Sequence, residues 1–247
     1  MAKRKKTITA GQLVLVAMAS MPLPRDPDFV RAEKSRCMSA ARARMNLKQS
    51  CQKLELLLAA NFTNNDYYIT LTYDDEHLPS SRSAAKKLLT KFVTRLRTHR
   101  RARNQELKYI YVTEGLHGGK RLHHHIVING YNDIDDIISL WSYGNTKHTH
   151  IDPRQFGDLA RYLTKEPRDG IAQNGKRCWT PSLNLIKPTA QSEIVADDLS
   201  LVAPKGAVIL ERVENQTEFG EFVYLKYFLP DPTPRPLRRP SKQHKTK

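Results

Sequence analysis

The chain has 247 residues, 39% of them apolar, and a formal net charge of +16, which suits one domain with appendages or two small ones around a modest core. No apolar run approaches the roughly 18 residues of a membrane span, residues 7–21 are too interrupted by Thr, Gly, Gln and Ser for a signal peptide, and Cys37, Cys51 and Cys178 have no CxxC spacing that would imply a disulfide framework or a zinc site. Residues 3–6 carry +4 and residues 231–247 a further +5, which leaves +7 on the body. The expectation is a soluble, cytoplasmic chain that meets a polyanion, nucleic acid being the commonest, rather than a membrane.

In chain order, residues 1–24 show no clear periodicity. Residues 31–61 read as one long helix, free of Pro and Gly, with Leu47, Cys51, Leu54, Leu57 and Leu58 at helical spacing. Residues 67–73, YYITLTY, are aromatic, β-branched and alternating, and read as a strand. Ser83 is the expected cap of a helix that runs to about Arg103. Leu88, Leu89, Phe92, Val93 and Leu96 form its apolar stripe, while Lys86, Lys87, Lys91, Arg95 and Arg97 lie elsewhere on it. Two strands, 108–114 and 122–129, follow as a hairpin with a long Gly-containing loop. Residues 133–141 and 154–166 read as helices, the second stopped by Pro167. Residues 207–213 and 222–229 read as a second hairpin, and the Pro-rich basic tail after Pro230 as extended chain. Strands paired by hairpins and interspersed with helices predict an α+β fold, a central antiparallel sheet with helices packed on one face, an N-terminal helix and a C-terminal β-hairpin. The expected divisions are 1–60 (basic segment and long helix), 61–190 (core), 191–230 (extension with the hairpin) and 231–247 (tail).

Two segments carry candidate chemistry. In EGLHGGKRLHHHIVIN, residues 114–129, strand alternation puts His123, His125 and Val127 on one face and His124, Ile126 and Ile128 on the other. Two imidazoles separated by one intervening residue stand about 6.5–7 Å apart along a strand and can converge on one ion. If Glu114 pairs across the hairpin with His123 or His125, it adds a carboxylate to the same face. Imidazole with carboxylate suits Mn²⁺, or Mg²⁺ as the harder alternative, and such an ion polarises a phosphate as a Lewis acid. The bland alternative is a polar, exposed strand end.

In FGDLARYLTKEP, residues 156–167, Phe156, Leu159, Ala160 and Leu163 mark a buried helical face. Tyr162 falls at its edge, with Lys165 one turn on. A free phenol has a pKa near ~10, so a nearby cation or metal helps it act as a nucleophile. The alternative is a ring packed on the core and a solvated lysine. The basic residues Lys86, Lys87, Lys91, Arg95 and Arg97 are candidates for DNA-backbone contact, or simply a solvated helix face.

YITLTY, then E…RLHHHIVI, then YLTK, in this order, resembles the three motifs of the HUH endonuclease superfamily. Within it the chain is similar to the single-tyrosine, phage-type Rep proteins that start rolling-circle replication. The resemblance covers residues 67–188, including RCWTPSLNLIKP at 177–188. By position it implies His123, His125 and Glu114 as metal ligands, Tyr162 as nucleophile and Lys165 as its partner. His124 departs from a usually apolar residue. It also implies an antiparallel sheet flanked by helices, nicking and rejoining of single-stranded or hairpin origin DNA through a 5′-phosphotyrosine, and work in a bacterial host's cytoplasm. No second tyrosine lies within a turn of Tyr162, and no GxxxxGK[ST] occurs, so a host helicase and polymerase are implied partners. A relaxase or single-tyrosine transposase would use the same residues. A non-catalytic nucleic-acid-binding module would need none of the chemistry.

Overall fold

The computed structural model describes residues 2–21, 40–115, 121–164, 179–217 and 220–230. Lys165, Cys37, Cys178, residues 31–39 of the expected long helix and the basic tail lie outside the described residues. The chain divides into two compact units. One comprises Met1–Thr7, Gln12–Met21 and Gln191–Lys247; the other comprises Ile8–Gly11 and Pro22–Ala190.

The first unit is built on a five-stranded sheet in the order β8-β1-β2-β10-β9, from β1 (Lys3–Ala10), β2 (Leu13–Ser20), β8 (Thr189–Val195), β9 (Val208–Thr217) and β10 (Gly220–Phe228). β9 and β10 are the expected C-terminal hairpin, in antiparallel register from Gly220–Thr217 to Phe228–Val208. β1 and β2 were not legible as strands. The strand character of LVLVAMAS is masked because β2 is buried along most of its length instead of alternating. Val14, Val16, Met18, Val223, Leu225 and Tyr227 form this unit's core. The basic run at residues 3–6 is thus part of a strand, not a solvated tail. Lys3 is buried and bridged to Glu221 at 2.6 Å, and Lys5 is paired with Glu193 at 2.9 Å.

The second unit holds a five-stranded antiparallel sheet, β6-β3-β5-β4-β7, of β3 (Tyr67–Thr72), β4 (Tyr109–Glu114), β5 (His123–Ile128), β6 (Thr146–His150) and β7 (Thr180–Pro181). Its helices are α1 (Ala40–Asn61), α2 (Arg82–Arg101), α3 (Ile134–Ser139) and α4 (Phe156–Thr164). The α+β class, an antiparallel sheet flanked by helices, is what the sequence pattern implied. The difference is that helices cover both faces rather than one. On one face α2 and α3 pack Leu89, Phe92, Leu96 and Ile137 against Ile69, Leu71, Ile126 and Ile128. On the other, α1 and α4 pack Leu54, Leu58, Phe156, Ala160 and Leu163 against Ile110, Val112 and Val127. The second layer is required because the histidine face turns apolar beyond His125. Left in water, Val127, Val112 and Ile110 would each forgo roughly 1.5–3 kcal/mol of burial.

α1 places Leu54 and Leu58 in the core but leaves Leu47 44% exposed, so its buried stripe is shorter than the spacing suggested. α2 begins slightly earlier than expected. Its cap is Ser81, not Ser83, in an extended conformation with its hydroxyl accepting from Ala84 N at 3.2 Å. His99, Arg100 and Arg101 fall in its last turn, where positive charge suits the helix dipole. Fully buried Arg100 is paired with Asp133 at 3.0 Å and donates to Asn129, tying α2 to the segment that follows β5. The helix expected over 154–166 is preceded by a 3-10 turn at Pro153–Gln155, capped by Asp152. β6 was not anticipated. Its sequence, TKHTH, is polar and mostly exposed because it forms the open edge of the sheet beside β3.

Candidate metal and nucleophile site

The site grows from the β4–β5 register. Glu114 is opposite His123, and Val112 is opposite His125, so Glu114, His123 and His125 share one face. Their ligand atoms all lie within 4.8 Å of one another. His123 Nε2 is 3.1 Å from His125 Nε2, and each is 3.6 Å from Glu114 Oε2. A point equidistant from the three atoms is about 2.0 Å from each, the usual bond length from a divalent ion to imidazole nitrogen or carboxylate oxygen. The donor set therefore fits an ion. Glu114 and His125 are buried and His123 half-buried.

Second contacts fix which nitrogen each ring offers. His123 Nδ1 donates to the Arg121 carbonyl at 2.9 Å, which leaves Nε2 facing the triad. His125 Nδ1 is 2.6 Å from the Tyr68 hydroxyl and 3.2 Å from the Thr70 hydroxyl, so its Nε2 also faces the triad. Gly115 closes the cradle. At φ +99°, a Cβ there would sit 2.6 Å from the Arg121 carbonyl oxygen, the acceptor that holds His123. Burial works against the Glu114 carboxylate. The hydrogen bonds and charges of His123 and His125 outweigh it and hold the carboxyl well below its ordinary range, so it is anionic at neutral pH.

α4 brings Tyr162 to this face. Its hydroxyl lies 3.4 Å from His125 Nε2, the rings meet edge-on at 5.2 Å, and the residue is 40% exposed. Tyr68 is a second phenol at the site, supplied by β3. Burial, followed by the charges of Tyr162 and Glu114, raises its pKa against a lowering hydrogen bond from Thr70, so it stays protonated. Of the two phenols, the exposed one on α4 is open to a substrate.

His124 points the other way and is fully buried. Nε2 is 2.6 Å from the Tyr73 hydroxyl and Nδ1 2.9 Å from the Thr113 hydroxyl. Burial, aided by His123 and His125, pushes its pKa down to about 3. A histidine where an apolar side chain is usual is accommodated as a neutral ring with both nitrogens engaged.

Residues 66–167 match the family model of the replication-associated proteins of ORF2 type. The match runs from just before β3 to just past α4, and so takes in Glu114, His123, His125 and Tyr162. It is consistent with a rolling-circle Rep-type protein and with DNA as the partner. No curated protein and no solved structure matches the chain. No helix among the described residues is long and apolar enough to cross a membrane.

Of the residues singled out from sequence, the structure brings together Glu114, His123, His125 and Tyr162. Lys165 lies outside the described residues. Lys86, Lys87, Lys91, Arg95 and Arg97 are on α2, which packs on the opposite face of the sheet from the triad. Arg95 is also engaged by Ser142 and the Tyr143 hydroxyl, the latter at 2.5 Å. Sequence reasoning passed over Tyr68 and Thr70. The alternation of YYITLT carried the signal, since it sets Tyr68, Thr70 and Thr72 on one face and Tyr67, Ile69 and Leu71 on the other.

Proposed function

We propose that the chain is a metal-dependent, single-tyrosine HUH endonuclease and strand transferase that initiates rolling-circle replication by nicking and rejoining single-stranded or hairpin origin DNA. One observation carries the reading: an exposed tyrosine hydroxyl 3.4 Å from a histidine of a His-His-Glu triad, inside a segment matching a replication-associated family. Glu114, His123 and His125 would hold Mn²⁺ or Mg²⁺, which supplies Lewis-acid polarisation of a phosphate when bound.

The chain's own residues do the rest. α4 presents the Tyr162 hydroxyl at the triad, where a scissile phosphate is in reach. The phenol loses its proton as its oxygen bonds to phosphorus. The bond from phosphorus to the 3′ oxygen breaks, and that oxygen takes up a proton. The products are a 5′-phosphotyrosine and a 3′-hydroxyl able to prime synthesis. The phosphodiester's energy is kept in the new ester, so rejoining is the same step reversed. Lys165, one turn beyond Tyr162 by helical spacing, is assigned to stabilise the phenolate or phosphate. The basic residues of α2 would hold DNA at a distance from the chemistry. A host helicase would unwind the duplex and a host polymerase extend the 3′ end, in a bacterial cytoplasm.

The test is incubation of labelled single-stranded DNA with the protein and Mn²⁺, followed by a denaturing gel. The expected result is a protein-linked strand that chelator and His123→Ala both abolish. An adduct that survives both refutes the metal site. Retained DNA binding with no adduct under any metal assigns the chain to a non-catalytic binding module.

A further inference from the structure

Beside Tyr162 a cleft of about 600 Å³ opens between the edge strand β6 and the start of α4. Its floor is set by register. Lys147 is opposite Thr70 and Thr149 is opposite Tyr68, while Thr70 is opposite His125 on its other side. Lys147, Thr70 and His125 therefore form one row across three strands on the triad face, with Lys147 about 10 Å from His125 by strand spacing. The facing wall is Gln155, Leu159 and Tyr162. We infer that this cleft is a specificity subsite that holds the single nucleotide flanking the scissile phosphate. The inference rests on the nicking function proposed above and adds where and how sequence is read.

The chemistry of the lining matches a nucleotide part by part. Lys147 is an exposed cation on the edge strand, placed for the phosphate that adjoins the one at the triad. Leu159 and the Tyr68 ring give apolar surface for the flat face of a base, which any base can use. Thr149 and Gln155 give donors and acceptors for a base edge. Gln155 is already oriented: its Nε2 donates to Asp152 Oδ2 at 3.0 Å, while Asp152 Oδ1 accepts from Arg154 N at 2.9 Å. A glutamine amide held in this way can discriminate between bases, because a fixed donor–acceptor pair matches some base edges and leaves others unpaired. The carboxylate of Asp158, which also lines the cleft, is engaged by Arg161 at 2.5 Å, so the wall opposes an incoming phosphate less than its composition suggests. A volume of this size is in the range of small-molecule sites.

The experiment uses the full chain, Mn²⁺ and a pool of single-stranded oligonucleotides of random sequence. Protein-linked and released strands are both sequenced, so that preferences on the two sides of the nick are read separately. Wild type is expected to show a base preference of roughly tenfold or more at one position adjoining the nick. Gln155→Ala, at an exposed side chain, and Leu159→Trp, which fills the cleft, should both bring that position towards parity and leave the other positions unchanged. Lys147→Ala should raise the KM for an oligonucleotide of selected sequence without altering the preference. An unchanged preference in both cleft variants overturns the subsite even though the chain nicks DNA. So does a wild type with no preference beside the nick, or a loss spread evenly over all positions. Absence of any linked strand from wild type defeats the nicking function itself, and the subsite with it.

Discussion

Removing the Tyr68 hydroxyl tests whether the triad is a built metal centre. If His125 presents Nε2 to an ion, its Nδ1 carries a proton and needs an acceptor. Tyr68 Oη, at 2.6 Å, is the nearer one, and Thr70 Oγ1, at 3.2 Å, is the reserve. Loss of such an outer partner typically lowers metal affinity by about 10–100-fold. Tyr68→Phe keeps the ring, which stacks on His125 at 5.7 Å, and leaves Thr70 able to accept. The expected loss is therefore at the low end, about tenfold, or about 1.4 kcal/mol. Tyr68→Phe with Thr70→Val removes both acceptors and should approach about 100-fold, whereas Thr70→Val alone should change little. Titration of the purified protein with Mn²⁺ by calorimetry gives the affinities directly. Equal affinity in wild type and the double variant would refute the reasoning, since an orphaned Nδ1 proton would then cost nothing.

His124 supplies a pH dependence. In the unfolded chain its pKa is near ~6.5, while in the fold burial holds it at about 3. Between these values the unfolded state binds the extra proton, so stability falls as pH drops below about 6.5, by roughly 1.4 kcal/mol per unit and roughly 2 kcal/mol by pH 5. In chelator, His124→Gln should flatten the acid limb of a urea-denaturation series by that amount, and parallel limbs would refute the assignment. For α2, Lys87→Ala with Lys91→Ala and Arg97→Ala should reduce the log–log salt slope of single-stranded DNA binding by up to about 2, at roughly 0.7 per phosphate contact. Adduct formation on a short oligonucleotide should persist, because these residues lie across the sheet from Tyr162. An unchanged slope would remove α2 from the DNA interface.

Much of the site was readable because strand alternation is a strict rule. Once residues 114–129 were taken as a hairpin, the common face of His123 and His125 followed, and pairing of Glu114 with His123 needed only a register. The Tyr162 helix was readable from Phe156, Ala160 and Leu163, whose spacing fixes the outward direction of the phenol. Less readable was whatever depends on contacts distant in sequence. Tyr68 and Thr70 are 57 and 55 residues from His125, and their hydroxyls are useful only once β3 lies beside β5. The engagement of His124 by Tyr73 and Thr113 has the same origin. β1 and β2 were missed because strands buried on both faces lose the alternation that marks a strand, and β6 because an edge strand can be polar throughout. The second helical layer was missed because one apolar stretch of a mixed face, at Val127, was read as part of the histidine face alone.

The central claim is that Tyr162 attacks DNA phosphate at the His123–His125–Glu114 site. The most direct measurement is mass spectrometry of the peptide that carries a nucleotide after digestion of the protein–DNA adduct, on wild type and on Tyr162→Phe. The account predicts a nucleotide on Tyr162 in the wild type, and no adduct at all in a Phe variant that folds and binds Mn²⁺ and DNA normally. A nucleotide on Tyr68 or any other residue, or an adduct that persists without the Tyr162 hydroxyl, would contradict it.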